Sequence, residues 1–226
     1  MSDGEEMNTR PDHELFREMR THLFTAIIGD VLDLHGYHHQ FLMPGCRPLS
    51  PGMVVCGRAM TVYEADVTEP VDPPFGLMLK ALDSLKPDEV YIASGSSPAY
   101  ALWGELMSTA ARVRGAAGAV LAGYTRDSNG ILEMNFPVFC YGSYAQDQKG
   151  RGHVVDFRIP LEIHGVKVSP GDIVFGDIDG VVILPQEVEA AVVADALEQV
   201  KKEKTAKKLL LSGASAESVF GETGVL

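Results

Sequence analysis

The sequence predicts an α/β protein, and three observations lead there. Short strand-like runs (88–93, apolar from Val90, and the apolar 119–124) flank a segment with helical spacing (104–114), so strand, helix and strand follow within about 40 residues, the pattern of a crossover unit. A second region (154–184) is built of short β-like runs cut by Gly, Pro and Asp turns. With 226 residues and 46% hydrophobic content, the chain can fill one sizeable core.

Residues 1–13 are polar and read as a frayed or partner-binding arm. From Glu14 to Leu34, apolar residues recur about every four positions (Leu15, Met19, Leu23, Ile27, Val31), which is a helix that Gly29 is placed to break in two. His35, His38 and His39 follow in a loop. They read as a polar helix exit or as metal ligands, but no acid or cysteine beside them completes a set. Turn residues fill 41–52, and Met53 to Tyr63 reads as a strand. Pro70, Pro73 and Pro74 mark a loop, and Phe75 to Leu85 a short helix. Asp88 to Ala93 is a buried strand, and Ser94 to Pro98 a flexible loop leading to the helix at Gly104 to Arg114, which Gly115 ends. Ala119 to Tyr124 and Phe136 to Tyr144 are further strands.

The β-like runs at 155–163, 166–168, 173–175 and 181–184 form a β-rich half that follows the α/β half without a linker. Pro185 opens a last helix, with Glu187 and Glu189 near its start and Lys201 to Lys208 near its end, a polarity that suits the helix dipole. Those lysines read as a solvated helix end or as an anion patch. Gly213 stops the helix, and 215–226 is a tail. The division expected is an arm over 1–13, a domain over 14–184, and a C-terminal helix and tail over 185–226 that packs on a neighbouring subunit.

The net charge of −12 argues against nucleic-acid binding. Three cysteines, Cys46, Cys56 and Cys140, show no metal spacing, and with a charged N-terminus they fit a reducing cytoplasm. No apolar run approaches the roughly 20 residues of a membrane helix. A small anionic substrate therefore needs a local positive device.

The segment Gly104-Glu105-Leu106-Met107 offers one, because the first amides of a helix lack internal partners and Gly104 lets a ligand approach the backbone. Arg126-Asp127 follows a buried strand, where sites in α/β layers tend to lie. Arg126 can donate a fork of hydrogen bonds to a keto oxygen and stabilise it as an enolate. Asp127 is a hard oxygen ligand suited to Mg²⁺, with Glu105 holding one of the metal's waters. Read without these roles, the same residues are a surface ion pair and an ordinary helix start.

The pattern Gly104-Glu105-Leu106-Met107, then Arg126-Asp127, resembles the RraA-like family, including its class II pyruvate aldolases acting on 4-hydroxy-4-methyl-2-oxoglutarate. Further matches are Arg114-Gly115, Phe136-Pro137-Val138-Phe139, Val168-Ser169-Pro170-Gly171-Asp172 and 176–182. The resemblance implies a three-layer fold like the swivelling phosphohistidine domain, assembled as trimers or hexamers with sites at subunit boundaries. It implies that the amides of 104–107 bind the pyruvate carboxylate, Arg126 the keto oxygen, and Asp127 a Mg²⁺ or Mn²⁺ ion directly, with Glu105 acting through water. An acid from a neighbour's C-terminal helix completes the site, with Glu203 the best match and Glu198 the fallback. Ala122 stands where many relatives carry Asp, which puts the usual substrate in question.

The activity implied is a metal-dependent lyase releasing pyruvate from a 4-hydroxy-2-oxo acid, with oxaloacetate decarboxylation as a side reaction. The absence of a lysine at this rim argues against a Schiff base. The resemblance also covers non-catalytic regulators that bind and inhibit an RNA-degrading endonuclease. A menaquinone methyltransferase reading finds no Gly-rich cofactor loop.

Overall fold

The computed structural model describes residues 11–69 and 71–226. Most of the expected N-terminal arm, and Pro70, lie outside them. The chain begins with α1 (Asp12–His22) and α2 (Thr25–Leu34), then β1 (Arg47–Pro48), β2 (Val55–Asp66), α3 (Met78–Asp83) and β3 (Glu89–Ser94). Next come β4 (Ala101–Trp103), α4 (Glu105–Val113), β5 (Gly118–Leu121), β6 (Tyr124–Thr125), α5 (Ser128–Met134) and β7 (Val138–Cys140). The chain closes with β8 (Gly152–Phe157), β9 (Leu161–Ile163), β10 (Val166–Val168), β11 (Ile173–Asp177), β12 (Gly180–Leu184), α6 (Glu189–Leu211) and α7 (Ala216–Thr223).

One mixed sheet organises the molecule, in the order β1-β7-β5-β3-β2-β11-β12, with β8 also on β2. Strands β2, β3, β5 and β7 are parallel neighbours, whereas β11, β12 and β8 join antiparallel. The α/β half and the β-rich half expected from sequence therefore share one sheet, and the twelve-residue β2 joins them. The sheet curls: Arg47 on the β1 edge donates from Nη1 to the Ile178 carbonyl in the β11–β12 turn at 2.9 Å.

The period of two along each strand divides the core. Val55, Ala59, Val90, Ile92, Val120, Val174 and Val181 face the inside of the curl, where the β9–β10 hairpin closes over them. The alternate residues face outwards. Met60, Val62, Tyr91, Ala119 and Leu121 lie under α3, α4 and α5, and Cys56, Phe175, Val182 and Leu184 under α1, α2 and α6. Helices, sheet and hairpin are thus three layers.

Several boundaries differ from expectation. The first helix breaks at Leu23–Phe24, not at Gly29. Gly29 lies inside α2 because the Phe41 ring lies against it: a Cβ there would meet the ring at 2.3 Å. Helix α6 starts at Glu189 after a turn closed by Val188 N to Pro185 O at 3.1 Å, and the tail folds as α7 on it. All three cysteines are free and buried. Among the described residues, no helix is long and apolar enough to cross a membrane.

Candidate active site

The rim is built by a small parallel ribbon that sequence alone did not reveal. Strand β4 pairs with β6, setting Trp103 opposite Thr125. The Arg126 amide donates to the Trp103 carbonyl at 2.9 Å, and the Thr125 hydroxyl to the same oxygen at 3.2 Å. Both strands end at the same edge, and each runs straight into a helix, β4 into α4 and β6 into α5. Gly104-Glu105 and Arg126-Asp127 are adjacent for this reason, although 22 residues separate them in sequence.

Local chemistry fixes the start of α4. The Trp103 indole N–H donates to Ser108 Oγ at 2.6 Å, and that hydroxyl donates to the Gly104 carbonyl at 3.1 Å. Ser108 N is the first amide of the helical ladder, bonding Gly104 O at 3.0 Å. The amides of Glu105, Leu106 and Met107 precede it, and no side chain caps the end. Trp103 is itself held between Tyr91 and Phe136, with ring centroids at 4.8 and 6.4 Å.

Arg126 lies between two carboxylates. Its Nε is 3.4 Å from Asp127 Oδ2, and its Nη1 is 3.1 Å from Asp147 Oδ1. Asp147 was not foreseen; it sits in an irregular segment with no periodic signal. Asp127 occupies left-handed backbone space (φ 55°, ψ 36°) before α5, yet its side chain makes no cap bond. A non-glycine residue in that region is uncommon and concentrates at functional sites. Its carboxylate lies against bare Gly104, where a Cβ would come within 2.8 Å of Oδ2. Glu105 lies over bare Gly130 of α5, where a Cβ would meet its carboxyl carbon at 2.2 Å. Two glycines thus make room for the two acids.

A cavity of about 330 Å³ opens beside this rim, bounded by Gly104, Leu106, Met107, Arg126, Asp127 and Asp147. Its far wall is apolar, from Phe75, Met78, Leu79 and Leu82 of the α3 region and Leu102 of β4. Glu105 does not line it, and neither does any lysine. Gln148 also lines the cavity, and its amide donates to Glu64 Oε2 at 2.6 Å. Glu64 is fully buried at the β2 bulge, its other oxygen has no partner, and burial pushes its carboxyl up to about 8.

Among the described residues, no three His, Cys, Asp or Glu side chains converge as a metal cage. The donor set fits a hard divalent cation nonetheless, because Mg²⁺ is typically held by one or two carboxylates plus waters and substrate. Asp127, with its side chain 46% exposed at the rim, supplies such a carboxylate. Glu203 lies elsewhere in its own chain, in the groove with His22, Lys204 and Leu226, where burial and then Asp30 raise its pKa. Glu198 pairs with Lys201 at 2.5 Å. The three loop histidines gather no shared ligand set: His35 bonds Asp195 at 2.8 Å and His38 bonds Asp33 at 3.1 Å.

Comparison with known proteins places the chain. Protein DlpA of Legionella pneumophila is 30% identical over 194 residues, 85% of this chain, which spans 31% of that longer protein. A Halalkalibacterium halodurans protein named "Putative 4-hydroxy-4-methyl-2-oxoglutarate aldolase" is 31% identical over 76% of this chain and 77% of its own length. The crystal structure of Streptomyces coelicolor RraAS2, described as an unusual member of the RNase ES inhibitor RraA protein family, shares the fold. Its TM-score is 0.77 at 24% identity, over 88% of this chain and 98% of that one. The RraA-like family, described as Aldolase/RraA, matches residues 25–183, and this chain belongs to it.

Proposed function

We propose that the protein is a divalent-metal-dependent lyase that cleaves a 4-hydroxy-2-oxo acid to release pyruvate and decarboxylates oxaloacetate through the same enolate. The observation that carries this reading is Arg126, braced between Asp127 and Asp147 at the mouth of a cavity beside uncapped amides. The aldolase name of the Halalkalibacterium relative supports it.

In this reading the amides of 105–107, with Gly104 giving close approach, bind the substrate carboxylate. Arg126 donates to the keto oxygen, and its two carboxylate partners hold the guanidinium in place. Breaking the C3–C4 bond leaves its electron pair on the 2-oxo unit, so charge grows on that oxygen and the Arg126 contact strengthens in the transition state. Protonation at C3 then gives pyruvate. The C4 hydroxyl loses its proton as the carbonyl of the second product forms. A Mg²⁺ or Mn²⁺ ion held by Asp127, with Glu105 through water and Glu203 from a neighbour in a trimer or hexamer, supplies a Lewis acid when bound.

Arg126→Ala and Asp127→Ala are each expected to lower pyruvate release by about 10²–10³-fold with unchanged melting temperature. A lactate dehydrogenase-coupled assay reads this, and near-wild-type turnover in both variants sinks the proposal. A second reading, a regulator that inhibits an RNA-degrading endonuclease, is favoured by the net charge of −12, which suits a basic partner segment. Endonuclease inhibition by a protein with no metal-dependent turnover would select it.

A further inference from the structure

Gln148 is the polar side chain of the cavity wall that the lyase reading leaves without a task. In that reading the α4 amides take the head carboxylate, Arg126 the keto oxygen and Asp127 the metal ion, while Asp147 braces Arg126. Gln148 follows Asp147 directly, lines the same cavity and is 2% exposed. Its backbone is held in place. The Gln148 carbonyl accepts from the amides of Arg151 and Gly152 at 2.8 and 3.1 Å, and the Gln146 carbonyl accepts from the Ala101 amide of β4 at 2.8 Å. Its side-chain Nε2 donates to Glu64 Oε2 at 2.6 Å. Among the described residues, Glu64 is the partner of that amide group, and no donor meets Gln148 Oε1.

We infer that Gln148 reads the C4 hydroxyl of the substrate: its Oε1 accepts from that hydroxyl and aligns it for cleavage, and buried Glu64 is the positioning residue that turns the amide to do so. The inference rests on the lyase reading, and it names the contact that tells a 4-hydroxy-2-oxo acid from one without the hydroxyl.

Glu64 explains the orientation. It sits at the β2 bulge, fully buried, and its own Oε1 has no partner. Burying an acid so incompletely matched costs stability. What it secures is an amide whose N–H is engaged at the back and whose oxygen is left over at the cavity wall. Little water competes for a nearly buried oxygen, so a ligand hydroxyl that reaches it gains more than it would at an open surface, and a ligand without one leaves it unmet. An amide takes no proton, so Gln148 aligns the hydroxyl and a base still has to deprotonate it. The metal ion and the neighbouring subunit's acid therefore keep the tasks given above. A second carboxylate on the substrate is neither required nor refused by this contact.

Trp103 is the chain's single tryptophan and lines the cavity, so its fluorescence reports occupancy. The probes are 2,4-dihydroxypentanoate and 2-hydroxypentanoate, titrated into the Mg²⁺-loaded protein. They differ only in the C4 hydroxyl, and without a 2-oxo group neither can form an enolate, so neither is cleaved. Wild type is expected to bind the dihydroxy acid about three- to tenfold more tightly. Gln148→Met and Glu64→Leu are each expected to erase that preference, the second by removing the acceptor that orients the amide. Glu64→Gln, which still offers an oxygen to Nε2, is expected to keep it. Thermal melting checks folding, and Gln148→Asn, with its shorter reach, replaces Gln148→Met if that variant does not fold. Equal binding of the two acids by wild type, no binding of either, or a preference that survives Gln148→Met or Glu64→Leu overturns the inference. In turnover, Gln148→Met is expected to slow cleavage of a 4-hydroxy-2-oxo acid about tenfold more than decarboxylation of oxaloacetate, which carries no alcohol; equal slowing of both overturns the inference too. A hydroxyl preference in a protein that releases no pyruvate from either substrate would sink the lyase reading while leaving the Gln148 contact standing.

Discussion

At the scale of single residues, Glu64 is the most unusual ionisable group near the site. Its side chain is fully buried, one oxygen accepts from Gln148, and the other has no partner. Burial raises its pKa from 4.5 to about 8. In that window the native state holds a proton that the unfolded chain has released. Stability contributed by this residue is therefore complete below about pH 4.5 and falls as pH rises towards 8, by about 1.4 kcal/mol per pH unit. Glu64→Gln keeps the shape and removes the titration. The variant is expected to flatten the decline in melting temperature between pH 5 and pH 8, and to be the more stable protein at pH 8. Parallel pH profiles for the two proteins would show that Glu64 is ionised in the native state. Ala122 packs half-buried against the core inside the sheet, so it adds no charge to the rim.

At the scale of elements, the ends of β4 and β6 determine where the chemistry can lie. Sequence reading found the helix after Gly104 and the Arg126-Asp127 pair, because an apolar strand and an amphipathic helix leave periodic signals. The ribbon itself was illegible: three residues in β4 and two in β6 are too short to show a period. Helix α5 escaped notice because it is only seven residues long and carries Gly130 in its interior. Asp147 belongs to an irregular stretch and meets Arg126 only through tertiary folding. Gly29 misled for a related reason, since its need for space comes from Phe41, twelve residues on.

Gly130 is where the element and the site meet. Alanine there is the better helix former by up to about 1 kcal/mol. Its Cβ would displace the Glu105 carboxylate, the far end of a flexible side chain, so the fold should accept it. Gly130→Ala is expected to keep or raise the melting temperature while lowering turnover roughly tenfold, with more Mg²⁺ needed for half-maximal activity, as for a supporting ligand contact. An unchanged Mg²⁺ titration would remove Glu105 from the site.

At the scale of the molecule, two helical layers share one sheet and carry different duties. The layer of α3, α4 and α5 surrounds the cavity, whereas α1, α2 and α6 cover β11 and β12. Arg58 on β2 is the principal polar tie in the second layer. Its Nε and Nη2 donate to Asp12 at 2.9 and 2.7 Å, and its guanidinium also bonds Glu189 at the start of α6. Nη1 reaches the Gly171 carbonyl at 3.1 Å, and the guanidinium carbon lies 5.5 Å from the centre of the Phe16 ring.

One half-buried cation therefore joins α1, β2, the turn before β11 and α6. Removing it strands two carboxylates beside each other, which costs more than the ion pairs themselves contribute. Arg58→Met is expected to lower unfolding free energy by about 2 kcal/mol, below the range for fully buried pairs because Asp12 is partly in water. Adding Glu189→Leu removes one stranded charge and supplies an apolar group of similar size against the Arg58→Met side chain. Urea unfolding of the double variant should recover at least half of the loss. If the second substitution instead adds its own cost in full, Arg58 stabilises the layer through packing on Phe16, and the carboxylates are incidental to it.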